Sequence, residues 1–182
     1  MRNLAFLFLC ASASMGCGAP MPSSDGGADA SVEDPACAAP GLEPDLRPSP
    51  LMGAAVGANG ALEEGQYVFS TTALRLKSTP AAGQRFMQAM GEINAELATQ
   101  PGLLAYSFAT SARCNVARTL TVWRDEASMY AFSTGAAHRA AVRAVGEMSR
   151  GGSRVTHWNG AASEANWPRA QEVLAASAGP TY

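Results

Sequence analysis

Lysine is nearly missing from this chain: Lys77 is the only one, and every other basic residue is arginine. Acids slightly outnumber bases, giving a formal charge of −2, so no bulk field draws the protein to nucleic acid. No basic segment interleaved with aromatics appears, as a sheet that binds RNA by stacking would need. The four cysteines form no CxxC pair and no spacing with the two histidines that suits zinc, so no metal site is expected. A glycine-rich phosphate loop, an internal repeat, a pair of catalytic carboxylates and a Ser/His/Asp arrangement are also lacking. The apolar run Leu4–Cys10 is too short to span a bilayer as a mature helix. What remains is a chain of 182 residues, 47% hydrophobic, enough for one packed domain with additions.

The additions come first. A short positive start, the apolar run and then small residues (ASASMGC) have the layout of a secretory signal over residues 1–16. Gly16-Cys17 resembles the end of a bacterial lipobox, with Ser14 where leucine is the common choice. The resemblance implies lipidation at Cys17, with ordinary secretion as the alternative. A multiply acylated cysteine anchors stably, since each buried methylene contributes roughly 0.8 kcal/mol. Gly18 stands where an aspartate would retain a lipoprotein at the inner membrane, so the implied location is the cell envelope, on the outer membrane.

Residues 17–66 read as an acidic tether rich in Pro, Gly and Ala. Six acids (Asp25, Asp29, Glu33, Asp34, Glu43, Asp45) face one base, Arg47, over residues 18–50. Such a composition buries too little surface to offset its ordering entropy, so a disordered spacer is expected. Residues 51–66 read either as more linker or as a weak extension of the domain. With Cys10 removed and Cys17 acylated, Cys37 and Cys114 are left. In an oxidising compartment they either pair, pinning the tether to the domain, or stay as two separate thiols.

The domain is expected over residues 67–178. Tyr67–Leu76 is a strand candidate. Pro80 opens a helix whose Phe86, Met90, Ile93 and Leu97 share one face, and Pro101-Gly102 stops it. Leu104, Tyr106 and Phe108 alternate along a second strand. In a third, Val116, Arg118, Leu120 and Val122 alternate against Ala117, Thr119, Thr121 and Trp123. Asp125-Glu126 starts a helix broken at Gly135, beyond which His138 begins a second segment. Val155, His157 and Asn159 alternate with Arg154, Thr156 and Trp158 in a fourth strand, and a last helix follows. The order βαββαβ predicts an α+β, ferredoxin-like fold with helices on one face of a four-stranded antiparallel sheet. The other face carries too many apolar residues to stay wet, so a homodimer with the two sheets face to face is expected.

The string TVWRDEASMYAFSTGAAHRAAVRA, within residues 67–160, resembles the antibiotic-biosynthesis-monooxygenase-like group of dimeric α+β barrels, and most of all its spheroidene monooxygenase branch. Trp123, Asp125, Met129, Phe132, Gly135, His138 and Ala141 carry the likeness. The resemblance implies oxidation or binding of a small apolar molecule. It also implies haem in the carotenoid branch, or no cofactor in members that oxidise aromatics. Haem-degrading members use an Asn, a Trp and a His where this chain has Thr72, Phe132 and Val142, which speaks against that reaction. His138 lies one helical turn before the expected ligand position, and the aromatic and acidic string that follows in the carotenoid branch is missing.

His138 is the candidate catalytic group, either a haem ligand or a proton acceptor beside a cavity; its plainer role is packing the broken helix. Trp123, Phe132 and Tyr106 are the candidate pocket, or else core and interface anchors. His157, Trp158 and Arg118 are secondary candidates. Two functions follow: an exported monooxygenase-like enzyme, or a non-catalytic lipoprotein that kept the fold.

Overall fold

The computed structural model describes residues 34–38, 41–179 and 181–182; the expected signal segment and Cys17 lie outside them. The described elements are, in order, α1 (Pro35–Ala38), β1 (Arg47–Pro48), β2 (Gln66–Arg75), α2 (Pro80–Leu97), β3 (Leu103–Ser111) and β4 (Val116–Trp123). After them come α3 (Glu126–Ser133), α4 (Ala136–Arg143), α5 (Val145–Met148), β5 (Arg154–Ala161) and α6 (Trp167–Ala176). The sheet order is β1-β3-β4-β2-β5, with every pair antiparallel. Its four long strands, with α2 and the α3–α5 segment as the two crossovers, make the ferredoxin-like βαββαβ arrangement.

Local chemistry sets the boundaries. Thr79 caps α2 by accepting from the Ala82 amide at 3.3 Å, and Pro80 occupies the first turn, where no N–H is needed. Asn115 closes the β3–β4 connection with φ at 48°, a left-handed conformation that asparagine tolerates, and donates to the Leu76 carbonyl at 3.1 Å. Asp125 caps α3 through the Ser128 amide at 2.7 Å. Hydrogen bonds from Ser128, and then from Arg124, hold its carboxyl at about 2. The break between α3 and α4 falls at Gly135, where any Cβ would strike the Glu96 carboxylate. That carboxylate instead accepts from the Ala137 amide at 2.7 Å, so α2 caps the first turn of α4.

Strand alternation divides the sheet into two faces. On the near face, Val68 and Trp123 pack with Leu97 of α2 and with Met129 and Phe132 of α3. A smaller cluster of Ala89, Ala144 and Met148, with Phe86 and Leu76 against it, joins α2 to α5 at the other end. On the far face Phe69, Ala105, Leu120, Val122 and Trp158 form the largest core, and Phe69 stacks on Trp158 with ring centroids 5.0 Å apart. Burying Phe69 completely contributes about 1.5–3 kcal/mol.

The cover of the far face departs from the sequence reading in two ways. Helix α6 packs there, on β2 and β5, and sends Ala170 into the core, so the helices do not all share one face. Residues 41–50, expected to be disordered spacer, lie on the domain instead, and residues 51–66, read as more linker or a weak extension of the domain, do so as the extension. The Ser49, Met52 and Ala55 amides donate to the Phe108, Tyr106 and Leu104 carbonyls at 2.7, 2.9 and 3.1 Å along the edge of β3. Leu51, Ala55, Val56 and Leu62 then reach the far-face core. Cys37 and Cys114 form a disulfide, with Cα atoms 5.3 Å apart. Glu43 meets Arg118 in a bidentate ion pair at 2.7 and 2.9 Å, with the two side chains 10% and 5% exposed. The apolar face that was the reason to expect a partner sheet is therefore covered by this chain's own residues.

Candidate functional site

Between the two near-face clusters the sheet changes character. Cross-strand register aligns Tyr106, Thr121, Ser70 and His157 in one row, and Phe108, Thr119, Thr72 and Val155 in the next. Adjacent strands lie about 4.8 Å apart and alternate residues about 6.6 Å apart, so Ser70, Thr72, Thr119 and Thr121 outline a floor roughly the size of one six-membered ring. Thr121 is committed: it accepts from the Trp123 indole at 2.9 Å and donates to the Ser70 carbonyl at 3.3 Å. Among the described residues, the hydroxyls of Ser70, Thr72, Thr119 and Tyr106 take part in no side-chain hydrogen bond, though all four residues are half-buried. Hydroxyls kept beneath a helix layer without protein partners are available to a ligand or to water.

The aromatic candidates converge above this floor. Trp123 and Phe132 sit with ring centroids 5.3 Å apart, and the Phe132 ring meets the His138 imidazole edge-on at 5.4 Å. Tyr106 and Phe108 lie 5.5 Å apart and pack against the same cluster. All four residues singled out from sequence, His138, Trp123, Phe132 and Tyr106, thus belong to one layer. Their exposure differs in a way that assigns roles. Trp123 is 0% exposed and Phe132 8%, so these two are core, while Tyr106 is half-buried and open to the floor.

His138 is half-buried, and its Nδ1 is buried with no hydrogen-bond partner. Burial pushes the imidazole pKa down, opposed by the Ser133 backbone and by the Glu96 carboxylate. The ring is therefore neutral at pH 7, in the form that can accept a proton.

The remaining candidates separate. Arg118 lies on the far face, bound to Glu43, on the opposite side of the sheet from Tyr106. Trp158 is far-face core. His157 shares the near face but sits at the exposed side, where its ring packs edge-on against Tyr130 at 5.7 Å. Two features were missed in the sequence: Glu96, which positions the α4 turn that carries His138, and the hydroxyl rows. The rows were present as the alternations STT and RTLT, but only strand register brings them together.

The residues do not fit a haem. The His138 imidazole packs edge-on against Phe132, which is backed by the fully buried Trp123, and its Nδ1 is enclosed, so the packing around the ring leaves little room for a macrocycle. The Ser and Thr hydroxyls of the floor are not among the groups that hold haem iron, and the Tyr106 phenol, the one that is, packs against Phe108 in the same cluster. Among the described residues, no group of three or more His, Cys, Asp or Glu is placed to hold a metal ion.

Residues 71–144 match the family model described as antibiotic biosynthesis monooxygenase, which bears out the resemblance over that segment. The match runs from the middle of β2 to just past α4, and includes Tyr106, Trp123, Phe132 and His138. Among solved structures, the chain is similar to a putative antibiotic biosynthesis monooxygenase from Caulobacter crescentus at 20% identity and TM-score 0.44, covering 52% of this chain and 89% of that one. It is also similar to a dimeric ferredoxin-like protein of unknown function from Jannaschia, at 18% identity and TM-score 0.45, covering 52% and 98%. A Shewanella oneidensis protein gives 11% identity and TM-score 0.47, covering 55% and 97%. No curated protein is significantly similar to the chain.

Proposed function

We propose that this chain is an exported, Cys17-acylated lipoprotein whose monooxygenase-type domain binds a small, flat, mostly apolar molecule on the near face of the sheet. The observation that carries the reading is the set of uncommitted, half-buried hydroxyls of Ser70, Thr72, Thr119 and Tyr106, framed by apolar clusters at both ends. A ring with one or two polar substituents satisfies both, its edges on the hydroxyls and its faces against Tyr106 and Phe108. Should the bound molecule be oxidised, this chain's residues bind it, orient it and exclude water. His138, neutral at pH 7 and with its Nδ1 unpartnered, is the candidate to accept a proton. The signal layout and Gly16-Cys17 support a place in the cell envelope.

A second reading is a binding protein without catalysis. Its support is the closed packing of Trp123 and Phe132 beside His138, which leaves the imidazole little access to a ligand. One experiment separates the two. Thermal shift against a panel of phenols and hydroquinones identifies binders, and an oxygen electrode then follows the tightest. Binding lost in Thr72→Val/Thr119→Val supports the shared site. Oxygen uptake that disappears in His138→Gln supports the enzyme, and binding without uptake supports the second reading. A panel with no binder would overturn both.

A further inference from the structure

We infer that residues 41–62 close the far face of the sheet in place of a second subunit, and that the Cys37–Cys114 disulfide is the lock that keeps this arm docked. The chain is then a monomer while the bridge is closed. Opening the bridge frees the arm and the strip of the far face beneath it, with α6 still in place, and the freed strip fits the arm of a second copy of this chain.

Three observations converge. The arm extends the sheet at the β3 edge through backbone hydrogen bonds, and does so at close quarters: a Cβ at Gly53, whose φ is 151°, would run into the Leu104 carbonyl. Two packed sheets bring their inner faces to about 10 Å, and the arm together with α6 fills that space. Both also lie outside residues 71–144, the segment that matches the monooxygenase family.

The second observation concerns Arg118. It stands in the middle of the far face, its cross-strand neighbours are Ala73 and Ala109, and it is 4% exposed. Those small residues leave the guanidinium room but no countercharge. Glu43, on the arm, supplies it. A bare far face would bury an unpaired cation if it met a plain apolar partner. A second copy is the partner that fits, because its own arm brings a Glu43 to the same Arg118; exchange of identical elements is a common route to dimers.

The third is the position of the lock. Cys37 lies six residues before Glu43, and Cys114 sits in the turn that precedes Arg118 on β4. Asp45 reinforces the same turn by accepting from the Ser111 hydroxyl and, at 2.9 Å, from the Arg113 amide. Opening needs a dithiol reductant. One of its thiolates attacks a cysteine sulfur, forming a mixed disulfide and releasing the other cysteine as a thiol. Its second thiol then displaces the first, leaving Cys37 and Cys114 as thiols and the reductant as a cyclic disulfide.

The test uses residues 18–182, which contain every described element, with hydrogen exchange and light scattering before and after dithiothreitol. The oxidised chain should have the mass of one copy. Reduction should speed exchange at the Ser49, Met52 and Ala55 amides by about tenfold or more, with little change at Leu120 and Val122 in the sheet centre. It should also bring a dimer that grows with concentration and is weakened in Glu43→Gln. Cys37→Ser repeats the measurement without reductant. An oxidised chain that is already a dimer, exchange at the arm unchanged by reduction, or a reduced chain that stays monomeric would each overturn the inference.

Discussion

Replacing Glu43 by glutamine tests whether the arm belongs to the fold. The substitution keeps the volume and one acceptor oxygen, removes the charge, and puts an NH2 donor where the second oxygen accepts from Arg118. Arg118 donates from Nε and Nη2 to Glu43 at 2.7 and 2.9 Å, and the two side chains are 5% and 10% exposed. An exposed pair of this kind contributes about 0.2–1 kcal/mol. Breaking a buried one by removing a single partner costs about 3–5 kcal/mol, because the remaining charge is left uncompensated in a poorly solvated place. Part of that cost is avoided if the arm lifts and water reaches Arg118, so the loss should appear first as local opening of residues 41–55. Urea unfolding gives the global change, and hydrogen exchange at Ser49, Met52 and Ala55 gives the local one. The double variant Glu43→Gln/Arg118→Met removes both charges and should recover much of the loss. A Glu43→Gln chain within about 1 kcal/mol of wild type in both measurements would refute the reasoning, since it would put the pair in the exposed class.

Three shorter predictions follow from other parts of the chain. Radiolabelled palmitate should enter the wild type expressed in its envelope and be absent from Cys17→Ser; label retained in the variant removes the anchor. Because burial lowers the His138 pKa below its ordinary 6.5, the unfolded chain takes up this proton more readily than the folded one. The stability contributed by the neutral ring is present above pH 6.5 and is lost as pH falls through the folded pKa. The urea midpoint of wild type should therefore drop more steeply than that of His138→Gln between pH 7.5 and 5, and equal slopes would show that the ring is not desolvated. Haemin titrated into the protein should give no saturable Soret shift; a shift abolished by His138→Ala would reverse the conclusion that the packing beside His138 excludes a haem.

The parts of the fold that follow a local period were legible in the sequence. Alternation in β4 separated Arg118, Leu120 and Val122 from Thr119, Thr121 and Trp123, and the structure puts these sets on opposite faces. Gly135 marked the break before His138 for a reason visible only in three dimensions, the approach of Glu96 from α2. The arm was not legible because nothing in its composition announces burial. Its docking rests on backbone hydrogen bonds, one disulfide spanning 77 residues and one ion pair spanning 75, none of which has a local signature. The hydroxyl floor failed to stand out for a related reason. Serine and threonine are ordinary strand residues, and only the pairing of Ser70 with Thr121 and of Thr72 with Thr119 makes them a site.

The central claim, a small ring bound on those hydroxyls, is tested most directly by methyl and amide NMR during titration with the tightest phenol or hydroquinone found by thermal shift. Saturable shifts should centre on Thr72, Thr119, Ser70 and Tyr106, extend weakly to His138, and vanish in Thr72→Val/Thr119→Val. Shifts confined to the far face, around Trp158 and Ala170, or a saturable response that survives the double substitution unchanged, would contradict the account.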